Sequence, residues 1–61
     1  MKNLRKIRLS MGLKQSEVAK IAGVSYQMYS HYETGRRELP VRVARKIAKG
    51  LKVHWMELYD E

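Results

Sequence analysis

The chain reads as an all-α domain, a compact bundle of five short helices with no strand. Three observations carry that reading. Apolar residues recur at three- and four-residue spacings, the period of helices with one buried face. Glycines stand where those runs stop, at Gly12, Gly23 and Gly35. The only proline, Pro40, precedes the longest run, where its missing N–H costs nothing.

The first helix is expected from about Lys2 to Met11, with Leu4, Ile7 and Met11 on one face and Gly12 as its stop. The second spans about Gln15–Ala22, and Val18, Ala19 and Ala22 form its apolar stripe. Gly23 then suits a left-handed residue that closes the helix without a Cβ penalty. Val24 plugs the turn, and Ser25 offers a hydroxyl to the free amides of a third helix, about Tyr26–Thr34. Tyr29 and Tyr32 recur on its inner face. A tyrosine there buries its ring and keeps its hydroxyl wet. Residues 36–39 read as a loop. The fourth helix runs from about Val41 to Leu51, with Ala44, Ile47, Ala48 and Leu51 inward and Arg42, Arg45, Lys46 and Lys49 outward. A short fifth helix follows His54, which can act as an N-cap with Glu57 three residues on. Small Ala19 lets the second and third helices cross steeply. Gln15–Thr34 is therefore a helix-turn-helix, a motif whose second helix can enter the major groove of DNA.

Composition narrows the function. A chain of 61 residues is one domain with a small core, burying only about 60% of the surface its unfolded form exposes. It has no cysteine, and its two histidines lie on different elements, so neither a disulfide nor a metal staple is expected. No apolar run approaches the roughly 20 residues that cross a bilayer, so no membrane association is expected and a cytoplasmic, nucleoid-associated location follows. The formal charge is +7, and all 13 lysines and arginines lie within residues 1–52. Residues 53–61 carry only acids, Glu57, Asp60 and Glu61. That asymmetry suggests one surface facing a polyanion and an acidic end facing away.

Three segments in this order and spacing, LRKIRLSMGLKQSEVAKIAGVS, YSHYETGRR and VARKIAKGLKVHWMELY, resemble the Cro/lambda-repressor-type (xenobiotic-response-element) helix-turn-helix family over nearly the whole chain. The Trp-containing end is similar to short, one-domain members common in phages and other mobile elements of Gram-positive bacteria. The resemblance implies a transcription regulator, expected to be a repressor, that binds a palindromic double-stranded DNA operator as a homodimer. On geometry, Tyr26, Gln27, Ser30 and His31 are the candidates for base edges. They lie at the start and along the outer face of the third helix, and a glutamine amide can pair bidentately with adenine. Met28 is open between the groove wall, a thymine methyl and simple exposure. Lys14, Gln15, Ser25, Arg36, Arg37 and Arg42 are candidates for phosphates, which position without specifying sequence. In the family a glutamine at Gln15 reaches a phosphate. Lys14 departs from the usual small polar N-cap, losing a cap and adding a cation. The resemblance also pairs Arg8 with Glu33 across the first and third helices.

The apolar segment Val53, Trp55, Met56, Leu58 and Tyr59 exceeds what closing the bundle requires, so a weak dimer is expected there. The alternative is that Trp55 and Leu58 cap the core. A protein-interaction module on the same fold would carry a third helix poor in polar side chains, and Tyr26, Gln27, Ser30 and His31 argue against it. No nucleophile, metal cluster or glycine-rich phosphate loop is present. No enzymatic activity, cofactor or small-molecule effector is expected.

Overall fold

The computed structural model describes residues 1–60. It contains α1 (Lys2–Ser10), α2 (Gln15–Ala22), α3 (Tyr26–Thr34) and α4 (Val41–Leu51), closed by a 3-10 turn at Trp55–Leu58. The fifth helix is thus one tight turn. Pro40 is the residue before α4 (φ −64°, ψ 146°) rather than its first helical position.

Leu4, Val18, Tyr29, Ile47 and Leu58 are fully buried and draw on every element. Between them sit small residues, Ala19, Ala22 and Ala44, which let the helices approach closely. Gly50 does the same between α2 and α4, since a Cβ there would lie 2.5 Å from Cγ2 of Ile21. Leu39 and Val43 are also core. Leu39 escapes a periodicity reading because it belongs to the α3–α4 connection, where no helical stripe marks it.

The turn between α2 and α3 is fixed by backbone chemistry. Gly23 is left-handed (φ 71°), its amide donates to the Lys20 carbonyl, and the Val24 amide donates to that of Ala19 at 3.1 Å. Those bonds satisfy the last carbonyls of α2. Ser25 then accepts the Met28 amide at 3.1 Å, capping α3.

The expected stripe of α1 needs correction. Leu4 is buried, Ile7 is half-buried and Met11 is exposed, while Arg8 takes the inward position. A charge can occupy that place because α3 presents its partner.

The chain ends meet. The Asp60 carboxylate accepts the Lys2 and Asn3 backbone amides at 2.9 and 2.8 Å, and the Asn3 side-chain Nδ2 donates to the Tyr59 carbonyl at 3.0 Å. Met1 has no side-chain cap to offer α1, so a distant aspartate supplies it. Of the acidic end, Asp60 therefore caps a basic helix, and Glu61 lies outside the described residues. Glu57 is likewise spent on backbone, accepting the His54 amide at 3.0 Å.

Of the two alternatives for the C-terminal apolar segment, the structure favours closure of the core. Leu58 is fully buried, and the Tyr59 hydroxyl donates to the Leu39 carbonyl at 2.6 Å. Trp55 stands edge-on to Tyr59 and lies under the Arg45 guanidinium, 5.5 Å from the ring centre. Val53, Trp55 and Tyr59 pack against the core. Closing so small a bundle consumes these side chains, and only Met56 is well exposed, at 61%. Leu58→Ala should therefore cost about 2–5 kcal/mol, most of the stability of a domain this size. Met56→Ala should stay within about 0.5 kcal/mol. Urea unfolding of the two variants measures both.

Candidate nucleic-acid interface

The outer face of α3 follows from the burial of its inner one. With Tyr29 and Tyr32 inward, residues three and four positions away point out. Tyr26 (58% exposed) and Gln27 lie in the first turn, and Ser30 and His31 lie one turn on, half-buried. Thr34, exposed at the end of the helix, continues the stripe through Gln27 and Ser30. Sequence reasoning passed over Thr34, although its spacing marked it. Its hydroxyl turns back to the Ser30 carbonyl at 3.0 Å. Met28 packs partly against the core, which leaves it at the flank of this face.

The expected phosphate ligands are distributed around it. Lys14 and Ser25 are exposed at the starts of α2 and α3, Arg36 and Arg37 in the loop after α3, and Arg42 in the first turn of α4. The Arg37 amide donates to the His31 carbonyl at 3.2 Å, tying that loop to the end of α3. Lys14 cannot accept a capping bond, but the Glu17 carboxylate accepts the Lys14 amide at 2.8 Å. The lost cap is thus partly offset by Glu17, three residues on. Lys46 is not simply solvated. Its ammonium lies 3.8 Å from where a Cβ on Gly23 would sit, over the C-terminal end of α2, where a cation is favourable.

Beneath this surface lies a buried polar cluster. Arg8 Nε donates to Glu33 Oε2 at 2.8 Å, its second terminal nitrogen donates to Glu33 Oε1 at 2.9 Å, and its third nitrogen donates to the Leu13 carbonyl at 2.8 Å. Every guanidinium nitrogen thus has a partner. Gln15 Nε2 adds a 3.1 Å bond to Glu33 Oε1. Sequence reasoning assigned Gln15 outward only. The inward bond was hidden because its partner is 18 residues away. The Tyr29 hydroxyl is corrected too. It is buried and has no hydrogen bond, because α3 carries its ring wholly into the core. Burial and the nearby Glu33 carboxylate push its pKa up.

Burial alone would raise the Glu33 pKa, but the hydrogen bonds donated by Arg8 and Gln15 and the Arg8 charge outweigh it, holding the group below its ordinary 4.5. A carboxyl with a lowered folded-state pKa contributes stability above its unfolded value and loses it as pH falls through the folded one.

No helix is long and apolar enough to cross a membrane. Among the described residues, no group of three or more His, Cys, Asp or Glu is placed to hold a metal. The arrangement is that of a DNA-binding helix-turn-helix, with polar side chains and cations outward and the turn locked from within. A helix-turn-helix family model matches residues 4–58. The chain is also 37% identical over 58 residues to an uncharacterized HTH-type transcriptional regulator, YqaF, of Bacillus subtilis (strain 168). That match covers 95% of this chain and 76% of the relative. No solved structure matches. The chain belongs to the helix-turn-helix family of DNA-binding transcription regulators, of the Cro/lambda-repressor type.

Lowering pH from 7 to 3 should destabilise the wild type more steeply than Glu33→Gln. The variant should start with a lower Tm at pH 7 and show a flatter pH dependence. Leaving Arg8 without its carboxylate is a loss of roughly 3–5 kcal/mol. Thermal melts across that range read both effects.

Proposed function

We propose that the protein binds a specific double-stranded DNA operator with α3 in the major groove and represses transcription as a homodimer on a palindromic site. The observation that carries this reading is the outer face of α3. It is polar along its length and begins at a capped N-terminus, and cations flank it on α2, the α3–α4 loop and α4. Recognition helices read base edges mainly from their first turns. Gln27 and Tyr26 are the readers there, followed by Ser30 and His31. Lys14, Gln15, Ser25, Arg36, Arg37 and Arg42 hold the backbone.

In this reading the protein acts without cofactor or catalysis, in the cytoplasm, as a regulator of the short phage or mobile-element type. A single domain of this size covers about 600–1,000 Å² on DNA. A two-fold pair with half-sites one helical turn apart supplies the remaining affinity. Because most of the C-terminal apolar segment is spent internally, pairing is weak in solution and completed on the operator.

Selection of bound sequences from a random duplex pool should return a palindrome. On that duplex, Gln27→Ala should relax preference at one base pair, at a cost of roughly 1–3 kcal/mol. Arg37→Ala should weaken all sequences alike and flatten the salt dependence. Loss of sequence preference on Arg37→Ala alone would reverse the two roles. Sedimentation of the protein with the recovered duplex should give two chains per duplex, and one chain at saturation would overturn the dimer.

A further inference from the structure

An open cleft of about 640 Å³ lies between the start of α1, the start of α2 and the end of α3. Its rim is formed by Lys2, Arg5, Gln15, Thr34 and Asp60, around the Arg8–Glu33 pair. We infer that this cleft seats a phosphate of the DNA backbone beyond the bases read by Tyr26 and Gln27, with Arg5 and Lys2 as the cations that grip it. This inference rests on the duplex-binding reading above.

The position follows from the helix face. Thr34 is seven residues from Gln27 and four from Ser30, so the stripe that enters the groove ends at the cleft. A strand running along the groove wall past the end of α3 passes its mouth. On the opposite rim, Gln15 uses one amide N–H on Glu33. No other hydrogen bond engages that amide among the described residues, so its second N–H is free to donate.

The charge is of the right sign. Arg8 and Glu33 neutralise each other inside the wall. Lys2 and Arg5 are exposed, and among the described residues neither has a carboxylate within ion-pairing distance. Asp60 is the opposing group, but both its oxygens are turned onto the Lys2 and Asn3 amides. Those bonds, and the positive groups of Lys2 and the chain start, keep its carboxyl below the ordinary range. The Asp60 carboxylate occupies the α1 amides, and the phosphate takes the side facing Arg5, Gln15 and Thr34.

The test uses the whole chain and two probes: the duplex recovered by selection and a scrambled duplex of equal length. Their affinities are measured by fluorescence anisotropy across a salt series. The double variant Lys2→Ala/Arg5→Ala should melt like the wild type, because both side chains are exposed. It should bind both duplexes more weakly at low salt, with a slope of log K against log salt shallower by about 0.9 for each chain bound, the value for one phosphate lost. Arg45→Ala/Lys49→Ala removes the same charge from the outer face of α4 and should leave the slope unchanged. An unaltered slope in the first variant, or an equal change in the second, overturns the proposal. So does saturable binding of inorganic phosphate at Lys2 and Arg5, seen by NMR, without the slope change. Failure of the wild type to bind any duplex overturns the functional reading instead.

Discussion

The carboxylate of Glu33 is shared among three helices. Its own helix, α3, carries the face proposed to read DNA. Through Arg8 it is joined to α1, and through Gln15 to the first residue of α2. Arg8 adds the Leu13 carbonyl, in the connection between α1 and α2. Such a cluster contributes little net stability, because the cost of desolvating two charges offsets most of their attraction. What it does is select one register. Sliding or rotating α3 against α1 would strand a charge in a dry interior, whereas an apolar contact at the same place would tolerate the shift.

The rest of the molecule is organised by the same scarcity. A chain this short cannot enclose a large core, and it has no disulfide to restrain it. Its acids serve instead as caps for exposed amides: Glu17 for Lys14, Glu57 for His54, and Asp60 for the start of α1. The last of these turns the two chain ends into a clasp, reinforced by the Tyr59 hydroxyl on the Leu39 carbonyl. The same clasp removes most of the C-terminal apolar side chains from the surface. Stability of the monomer and strength of a C-terminal dimer draw on one set of residues, and the monomer takes most of them.

Local features were legible in the sequence and long-range ones were not. Gly23, Val24 and Ser25 specify the turn because their bonds reach no further than five residues. The spans of α2, α3 and α4 follow from stripes that one helix can display alone. Asp60 was read as part of an acidic end because nothing near it in sequence announces its partners, 57 and 58 residues away. The burial of Leu39 went unread, and that of Leu58 stood open beside a dimer role, for a related reason. A single apolar residue in a loop or tight turn has no period, and only the packed core shows where it goes. Arg8 and Glu33 were found through family resemblance, and Gln15's bond to the same carboxylate was missed because a side chain near the surface was assigned one role.

That second role of Gln15 links the two halves of recognition. A residue proposed to touch the backbone is bonded to a carboxylate on the helix proposed to read the bases. The distance between backbone anchor and base reader is therefore set by a hydrogen bond rather than by loop length. Backbone contacts fix the register of a protein on a duplex while carrying no sequence information themselves. That register can pass into base readout only if anchor and reader move together. In this fold the Glu33 carboxylate makes them one unit, which is why a charge is kept in the interior of a domain that can spare so little apolar contact.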